Sequence, residues 1–368
     1  MTAKKTASAS RKASTCRSTR KLRWAIVGCG FISESHIRAL TLIPEVEIVA
    51  GCDIRPERLA RFTELTGVTA TYLDWKDLLR EIKPDVVDVC TPNGVHAPAV
   101  IDALNAGCHA MTEKPMAMTP AECRDMIAAG KKNKRLLSCG FQFRYHPAVE
   151  IFQKATAAGD IGDILFAKCR ALRRRGVPNW GVFGRKELQG GGPLIDIAVH
   201  VIEAAHYCMG SPAPVAATGN TWTYAGDRPS EVYTRWPNWD WQTYNVEDLA
   251  IGHIRFDNGA IMHIESSFCA NIKSDVMTFE LMGTKGGFCF NPVELYTDHA
   301  GAMLNVTPAY LPEIGHDTLF TCKFRNFVDG ILYGTPLRSP GEAGLDVQNI
   351  VNGIYSSAAK GGKEILIK

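Results

Sequence analysis

Apolar and polar positions follow two rhythms along the chain, and the first runs from Leu22 to Gly140. A compact apolar run, Leu22 to Val27, ends in a glycine turn and passes into helical spacing from Glu34 to Leu42. A second apolar run follows, Val46 to Cys52. The beat then repeats as a helix over Pro56 to Thr66 with its proline in the first turn, a short helix over Trp75 to Glu81, and a buried strand over Asp85 to Cys90. Helical spacing returns at Pro98 to Ala106 and stops at Gly107, and His109 to Thr112 reads as a strand. Thr119-Pro120-Ala121-Glu122 has the spacing of a capping box, so a helix opens there. Arg135 to Gly140 adds one more strand. Strands alternating with helices predict a parallel, doubly wound sheet.

The second rhythm is that of short alternating strands. Pro147 to Ala158 reads as a connecting helix and Ile164 to Arg174 as a strand. Gly190 to Gly192 reads as a flexible hinge before a long helix, Pro193 to Met209. From Pro214 to about Tyr296, strands alternate with turn signals, among them Asp257-Asn258-Gly259 as a hairpin turn. Helices near Asp317 to Tyr333 and Gly344 to Lys360 close the chain. The expected organisation is a tail over 1–21, a parallel α/β domain over 22–146, and an α+β domain over 147–368 with helices on one side of an antiparallel sheet.

The first glycine turn carries chemistry. Gly28-Cys29-Gly30-Phe31-Ile32-Ser33 stands between strand and helix, and Asp53 closes the next strand. Gly28 allows the tight turn, Gly30 lets a pyrophosphate approach the backbone, and the helix start offers N–H groups and partial positive charge. Ser33 replaces the third glycine of the pattern and is small enough for close helix–strand contact. Asp53 is placed to accept from ribose hydroxyls and to repel a 2′-phosphate, which favours NAD; Arg55 and Arg58 keep NADP open.

Composition narrows the setting. At 368 residues, 46% apolar and 21% charged, the chain reads as an ordinary globular protein with two cores. No apolar run reaches the ~18 residues that span a bilayer, so no membrane partner is expected. The net charge of +3 conceals eight Lys or Arg and no acid in residues 1–23, which leaves −5 for the rest and implies no nucleic-acid surface. The basic tail lacks the apolar segment of a secretory signal and reads as a disordered extension rather than a transit peptide. The twelve cysteines show no C-x-x-C spacing and most sit singly in apolar runs, which points to a reducing, cytoplasmic setting.

Three further constellations hold reactive groups. Glu113-Lys114-Pro115 stands at the end of a predicted parallel strand, the edge where open α/β sheets bind ligands. The proline sets an extended backbone and aims the ammonium, which can hold a substrate hydroxyl; a Glu113–Lys114 salt bridge is the plainer alternative. Asp196 and His200 lie four apart on one helix face, where the carboxylate can orient the imidazole and support its positive form. His200, titrating near neutrality, is the candidate base. No third ligand has spacing to make this pair a metal site, so no metal is expected. Trp236 to Asn245 packs three tryptophans into six residues, with Trp239, Trp241 and Tyr244 suited either to a sugar's C–H faces or to a dimer contact or hydrophobic plug.

Taken together, the glycine turn, Thr91-Pro92-Asn93 with His96, Glu113-Lys114-Pro115, Gly140 to Arg144, and Gly190 through His200 resemble the glucose–fructose oxidoreductase and inositol dehydrogenase family, from about Leu22 to Ile367. The resemblance implies a Rossmann domain binding NAD or NADP, followed by a large, mostly antiparallel open sheet through which a homodimer or homotetramer forms. It implies Lys114, Asp196 and His200 as catalytic residues, and Thr91, Pro92, Asn93, His96 and Glu113 as lining the cofactor with Gly28, Gly30, Phe31, Ile32, Asp53, Arg55 and Lys114. Arg144, Trp239, Trp241 and Tyr244 are the candidates for substrate contact. The implied reaction moves a hydride between nicotinamide and a secondary carbinol or keto carbon of a sugar, sugar derivative or cyclitol. An NAD-dependent glycoside hydrolase and a non-catalytic nucleotide or sugar sensor are the alternatives.

Overall fold

The computed structural model describes residues 20–315 and 317–367; the tail expected over 1–21 falls outside them but for its last two residues. The first part alternates strand and helix: β1 (Leu22–Val27), α1 (Phe31–Thr41), β2 (Val46–Cys52), α2 (Pro56–Thr66), β3 (Thr71–Tyr72), α3 (Trp75–Ile82), β4 (Val86–Val89), α4 (Asn93–Asn105), β5 (His109–Thr112), α5 (Pro120–Asn133) and β6 (Leu137–Cys139). The strands run parallel in the order β3-β2-β1-β4-β5-β6. The order reverses between β1 and β4, so the loops after these strands part and open a crevice at the sheet's C-terminal edge. β3, two residues long, is too short to show an alternation in sequence.

Local chemistry sets several of these starts. Thr119 Oγ1 accepts from the Glu122 N–H at 3.3 Å while Glu122 Oε2 accepts from the Thr119 N–H at 2.9 Å, the reciprocal box expected, worth about 1 kcal/mol. α4 begins at Asn93, before the Pro98 suggested by helical spacing. Pro98 stays inside the helix on an exposed face, where its missing N–H removes one bond, that to the carbonyl of Gly94.

A 3₁₀ turn (Gln142–Tyr145) and α6 (Pro147–Ala158) lead to the second sheet. Its elements are β7 (Ile164–Leu172), α7 (Lys186–Gln189), α8 (Val199–Cys208), β8 (Pro214–Trp222), β9 (Leu249–Phe256), β10 (Ile261–Ser267), β11 (Val276–Gly283), β12 (Gly286–Cys289), β13 (Glu294–His299), β14 (Ala302–Val306), α9 (Thr318–Tyr333), α10 (Gly341–Ala358) and β15 (Ile365–Leu366). The nine strands run β14-β13-β12-β11-β7-β10-β9-β8-β15, with β10–β7 parallel and the other pairs antiparallel among the described residues. Gly259, at φ 86°, closes the expected hairpin between β9 and β10. α8 covers β7 and β11, and α10 covers β8 and β9. The opposite face carries Ile261, Met282, Lys168 and Glu265, an alternation proper to a sheet packed on one side.

The chain's end returns to its beginning. α9 packs against α1, and Phe324 and Phe327 meet Trp24 of β1 edge-on with ring centres 5.7 and 6.0 Å apart. α10 packs against α5. The core of the first sheet therefore takes aromatic residues from positions above 318, so 22–146 does not complete that core by itself.

Candidate active site

The glycine turn fits a dinucleotide. Gly28 sits at φ 93°, and a Cβ there would lie 2.6 Å from the Cys90 carbonyl carbon, so both backbone and space demand glycine. Gly30 caps the start of α1, and a Cβ built on it meets nothing within 4 Å. The room in front of it is what a pyrophosphate at this helix start requires. Ser33, buried, folds its hydroxyl back to the Gly30 carbonyl at 2.6 Å and so keeps the close packing of the missing third glycine. Asp53 accepts from the Cys29 N–H and the Arg55 N–H, both at 2.9 Å, and each oxygen keeps a lone pair for a ribose hydroxyl. Phe31 is exposed, Ile32 is half-buried, and Arg55 is exposed beside Glu57 at 3.6 Å.

The residues after β4 divide between surface and brace. Thr91 Oγ1 is buried with no hydrogen-bond partner among the described residues, and Pro92 is exposed. Asn93 is buried with its side-chain N–H on the Gln189 carbonyl at 2.9 Å. His96, also buried, has its ring nitrogens 2.9 Å from the Pro115 carbonyl and 2.8 Å from that of Thr91. It ties the ends of β4 and β5 together from beneath, and burial lowers its pKa. The structure thus makes Asn93 and His96 braces of the crevice floor rather than open contacts.

Glu113 differs from expectation as well. Its side chain turns inward, where Oε1 meets Lys323 Nζ at 2.8 Å and His36 Nε2 at 3.0 Å. His36 Nδ1 in turn stands 2.8 Å from Asp88 Oδ2 and 3.2 Å from Cys90 Sγ. Burial raises the Glu113 pKa, but Lys323 and His36 outweigh it and hold the carboxylate well below its usual range. His36, Asp88 and Cys90 bring potential metal ligands within 4.8 Å of one another, yet the Lys323 ammonium, 3.3 Å from His36 Nε2, already supplies a cation. Nothing in sequence tied Lys323, on α9, to the Glu113 strand end 210 positions earlier.

Lys114 reaches the second sheet. Its Nζ donates to the Asp196 carbonyl at 2.8 Å and to Asp196 Oδ1 at 3.0 Å, so the ammonium pairs across the two halves and not with Glu113. The peptide before Pro115 is cis. Asp196 lies in a π-helical segment, Leu194–Ala198, which widens the start of the predicted long helix, a distortion frequent at functional sites. Gly191 and Gly192 are no hinge: side chains there would run into the Tyr355 hydroxyl and the Glu247 carbonyl. Glu247, missed in the sequence because no motif marks it, fixes this start by accepting from the Gly192 N–H at 2.8 Å and the Leu194 N–H at 3.2 Å.

His200 follows on the same element, its ring 5.2 Å from that of Phe143 and its Nδ1 buried without a partner among the described residues. The carboxylate expected to support it belongs to Lys114 instead. Burial, then the Lys114 charge, lower the His200 pKa to about 3 against the pull of Asp196, so the ring is neutral in ordinary buffers rather than titrating near neutrality.

The other substrate candidates are redistributed. Arg144 is buried, pairs with Glu203 at 2.8 Å and donates to the Arg338 carbonyl at 2.6 Å, so it stitches α8 to the loop before α10, while its Nη2 is buried with no partner among the described residues. Trp239 is buried with its indole N–H on the Gly226 carbonyl at 2.8 Å. Tyr244 is buried with its hydroxyl on Asp248 Oδ1 at 2.7 Å. These two anchor the long loop between β8 and β9, whose interior they fill; Trp241 is 37% exposed. Trp236 instead meets Trp180 edge-on at 4.8 Å and lies beneath the guanidinium of Arg173.

A phosphate-ready helix start, a ribose acceptor, and a lysine–aspartate pair with a neutral histidine at one crevice define an NAD-binding oxidoreductase. Comparison with known proteins gives its family. Residues 22–141 match the family described as "Oxidoreductase family, NAD-binding Rossmann fold", and residues 150–289 match the GFO/IDH/MocA C-terminal domain. D-glucoside 3-dehydrogenase of Escherichia coli (strain K12) is 36% identical over 342 residues, 92% of this chain and 96% of that one. Levoglucosan dehydrogenase of Pseudarthrobacter phenanthrenivorans is 31% identical over 288 residues, 73% of each chain. A levoglucosan dehydrogenase solved in complex with NADH superposes with a TM-score of 0.83 at 26% identity, covering 95% of this chain and all of that one. The chain belongs to the GFO/IDH/MocA oxidoreductase family. Among the described residues, no helix is long and apolar enough to cross a membrane, and the eleven described cysteines are unpaired.

Proposed function

We propose that the chain oxidises a secondary hydroxyl of a sugar, sugar derivative or cyclitol, with NAD as hydride acceptor. The observation that carries the reading is the Lys114–Asp196 pair with the neutral His200 beside it. The names of the similar dehydrogenases support a sugar. Gly28, Gly30, Thr91 and Asp53 are the residues that would hold the dinucleotide, and when bound its nicotinamide supplies the hydride acceptor. Lys114 would hold the substrate oxygen and stabilise the negative charge that grows on it, with Asp196 fixing the ammonium in place. His200 would take the hydroxyl proton. Its low proton affinity comes in part from Lys114; an oxygen turning negative between them offsets that charge and raises the ring's affinity at the step that needs it. The open face of the second sheet, with Ile261 and Met282 exposed, is the surface we assign to homo-oligomer formation.

The test follows NADH absorbance across methyl glucosides, 1,6-anhydroglucose, free aldoses and inositols, with NAD and with NADP. Steady NADH production that is lost in Lys114→Met supports the reading. Release of free sugar from a glycoside with no net NADH would replace it with an NAD-dependent glycosidase.

A further inference from the structure

We propose that the sugar oxidised here carries a negatively charged group, a carboxylate or a phosphate, seated in a basic cleft beside His200. The proposal rests on the dehydrogenase reading above. The cleft, of ≈ 710 Å³, lies where three stretches meet: Arg174 and Arg175 after β7, Val232 to Trp236 between β8 and β9, and Asn271 to Asp275 between β10 and β11.

Neutral oxygens position three of its guanidinium groups. Arg174 Nη1 donates to the Lys273 carbonyl at 3.1 Å. Arg175 donates to the Arg174 carbonyl at 2.7 Å and to Asn271 Oδ1 at 2.8 Å. Behind them Arg173 Nη1 donates to the Gly176 carbonyl at 3.0 Å, and its guanidinium lies 5.0 Å from the Trp236 ring centre. Arg235 approaches the same ring at 5.2 Å. Asp275 is the one carboxylate of the lining, and its Oδ1 accepts from the main-chain N–H of Arg174 at 2.8 Å. Elsewhere on this sheet the cations do have acids: Arg170 pairs with Glu280 at 2.8 Å and Lys168 with Glu265 at 3.7 Å. In the cleft, by contrast, no carboxylate forms an ion pair with Arg173, Arg174, Arg175, Arg235 or Lys273 among the described residues.

Guanidinia oriented by neutral oxygens, with N–H groups to spare and no ion-paired carboxylate among the described residues, are prepared for two-point recognition of an oxyanion. The cleft adjoins the chemistry, since β7 and β10 pack against the π-helical segment bearing Asp196, and the Arg173 charge acts on both Asp196 and His200. The half-buried Trp236 and the exposed Tyr233 of the lining offer aromatic faces of the kind a sugar ring packs against.

NADH production is measured with methyl β-glucoside, its glucuronide and its 6-phosphate ester, for wild type, Arg174→Gln and Arg235→Gln, at low and raised salt. One charged sugar should exceed the neutral one in kcat/KM by about tenfold or more, and that ratio should fall by a similar factor in each variant and with salt. The glucuronide and phosphate arms separate the two anions. Equal kcat/KM for neutral and charged sugars, or a ratio the variants leave unchanged, overturns the inference while the dehydrogenase reading stands. If none of the three sugars reduces NAD, the wider panel above decides the dehydrogenase reading. Tryptophan fluorescence titrated with glucuronate and glucose 6-phosphate then decides the cleft: absence of a saturable, Arg235-dependent change overturns it too.

Discussion

Lys323→Met probes the buried cluster beneath the catalytic turn. The wild-type ammonium lies 2.8 Å from Glu113 Oε1, with both side chains almost wholly buried. At an effective dielectric of about 20 the gross attraction is about 6 kcal/mol, and removing one partner of a buried pair costs a net of about 3–5 kcal/mol because a charge is left uncompensated. Methionine keeps the length of the apolar stem and removes the ammonium, which also stands 4.8 and 4.9 Å from the Phe320 and Phe324 ring centres, so the loss reports charge. His36 then modifies it. Burial draws the His36 pKa down, Asp88 draws it up and Lys323 pushes it down, with a net rise above 6.5. Without Lys323 it rises further, and the imidazolium becomes the missing cation. A His whose folded pKa exceeds its unfolded value stabilises below the unfolded pKa, and the effect disappears as pH climbs through the folded one. The variant's deficit should therefore be larger at about pH 9 than at about pH 6, by about 1.4 kcal/mol for each unit of added shift.

Urea unfolding of both proteins at the two pH values measures this. Turnover should also fall by about ten- to a hundredfold with NAD affinity nearly intact, because Glu113 no longer steadies the turn that aims Lys114. An equal deficit at both pH values, or one below about 1 kcal/mol, refutes the cluster's electrostatic role.

Other expectations follow from the same geometry. His200→Asn should lower turnover on the order of 10²–10⁴-fold, and its pH profile between about 6 and 9 should keep the wild-type shape, since the lost ring, at about 3, does not titrate there; a lost basic limb would show that the ring titrates near neutrality after all. Asp53→Ala should narrow the preference for NAD over NADP in calorimetry, and tighter NADP binding by the wild type would mean that Arg55 and Arg58 outweigh the carboxylate. Burial, then Arg135, lower the His109 pKa to about 4, so the folded state resists its protonation and stability falls as pH drops below 6.5. Between about pH 7 and pH 5 the wild type should lose about 2 kcal/mol more than His109→Asn; equal losses would show that His109 protonates freely.

Residues near one another in sequence were legible from it. The capping box at Thr119, the strand–turn–helix around Gly28 and the hairpin at Gly259 are local, and pattern sufficed. Chemical type also singled out Lys114, Asp196 and His200, which the fold brings into one neighbourhood. Partnerships were not legible. Helical spacing joined Asp196 to His200, but the π-helical widening and a lysine 82 positions earlier claimed the carboxylate. Arg144, Trp239 and Tyr244 have the composition of a sugar site, yet burial assigns them to internal bonds. Three successive glycines read as freedom, yet Gly191 and Gly192 prove to be close packing, because only the folded chain brings Tyr355 and Glu247 against them.

The catalytic turn is held from two sides, and neither support comes from the first sheet. Lys323 fixes Glu113 from within, through a helix near the chain's end. Asp196 fixes the next residue, Lys114, from across the crevice, and Asp196 is itself set by Glu247 through the amides at the start of the π-helical segment. Gly28, Gly30 and Asp53, the residues proposed to hold the dinucleotide, lie at the ends of β1, α1 and β2, and neither Lys323 nor Asp196 bonds to them. The ammonium can be aimed only when both are docked. We expect binding and chemistry to separate accordingly: changes at Lys323 or Glu247 should act first on turnover, and changes at the glycine turn first on NAD affinity measured by calorimetry. That separation follows from the chain's return path, which places α9 on α1 and so carries Lys323 beneath the strand end bearing Glu113 and Lys114.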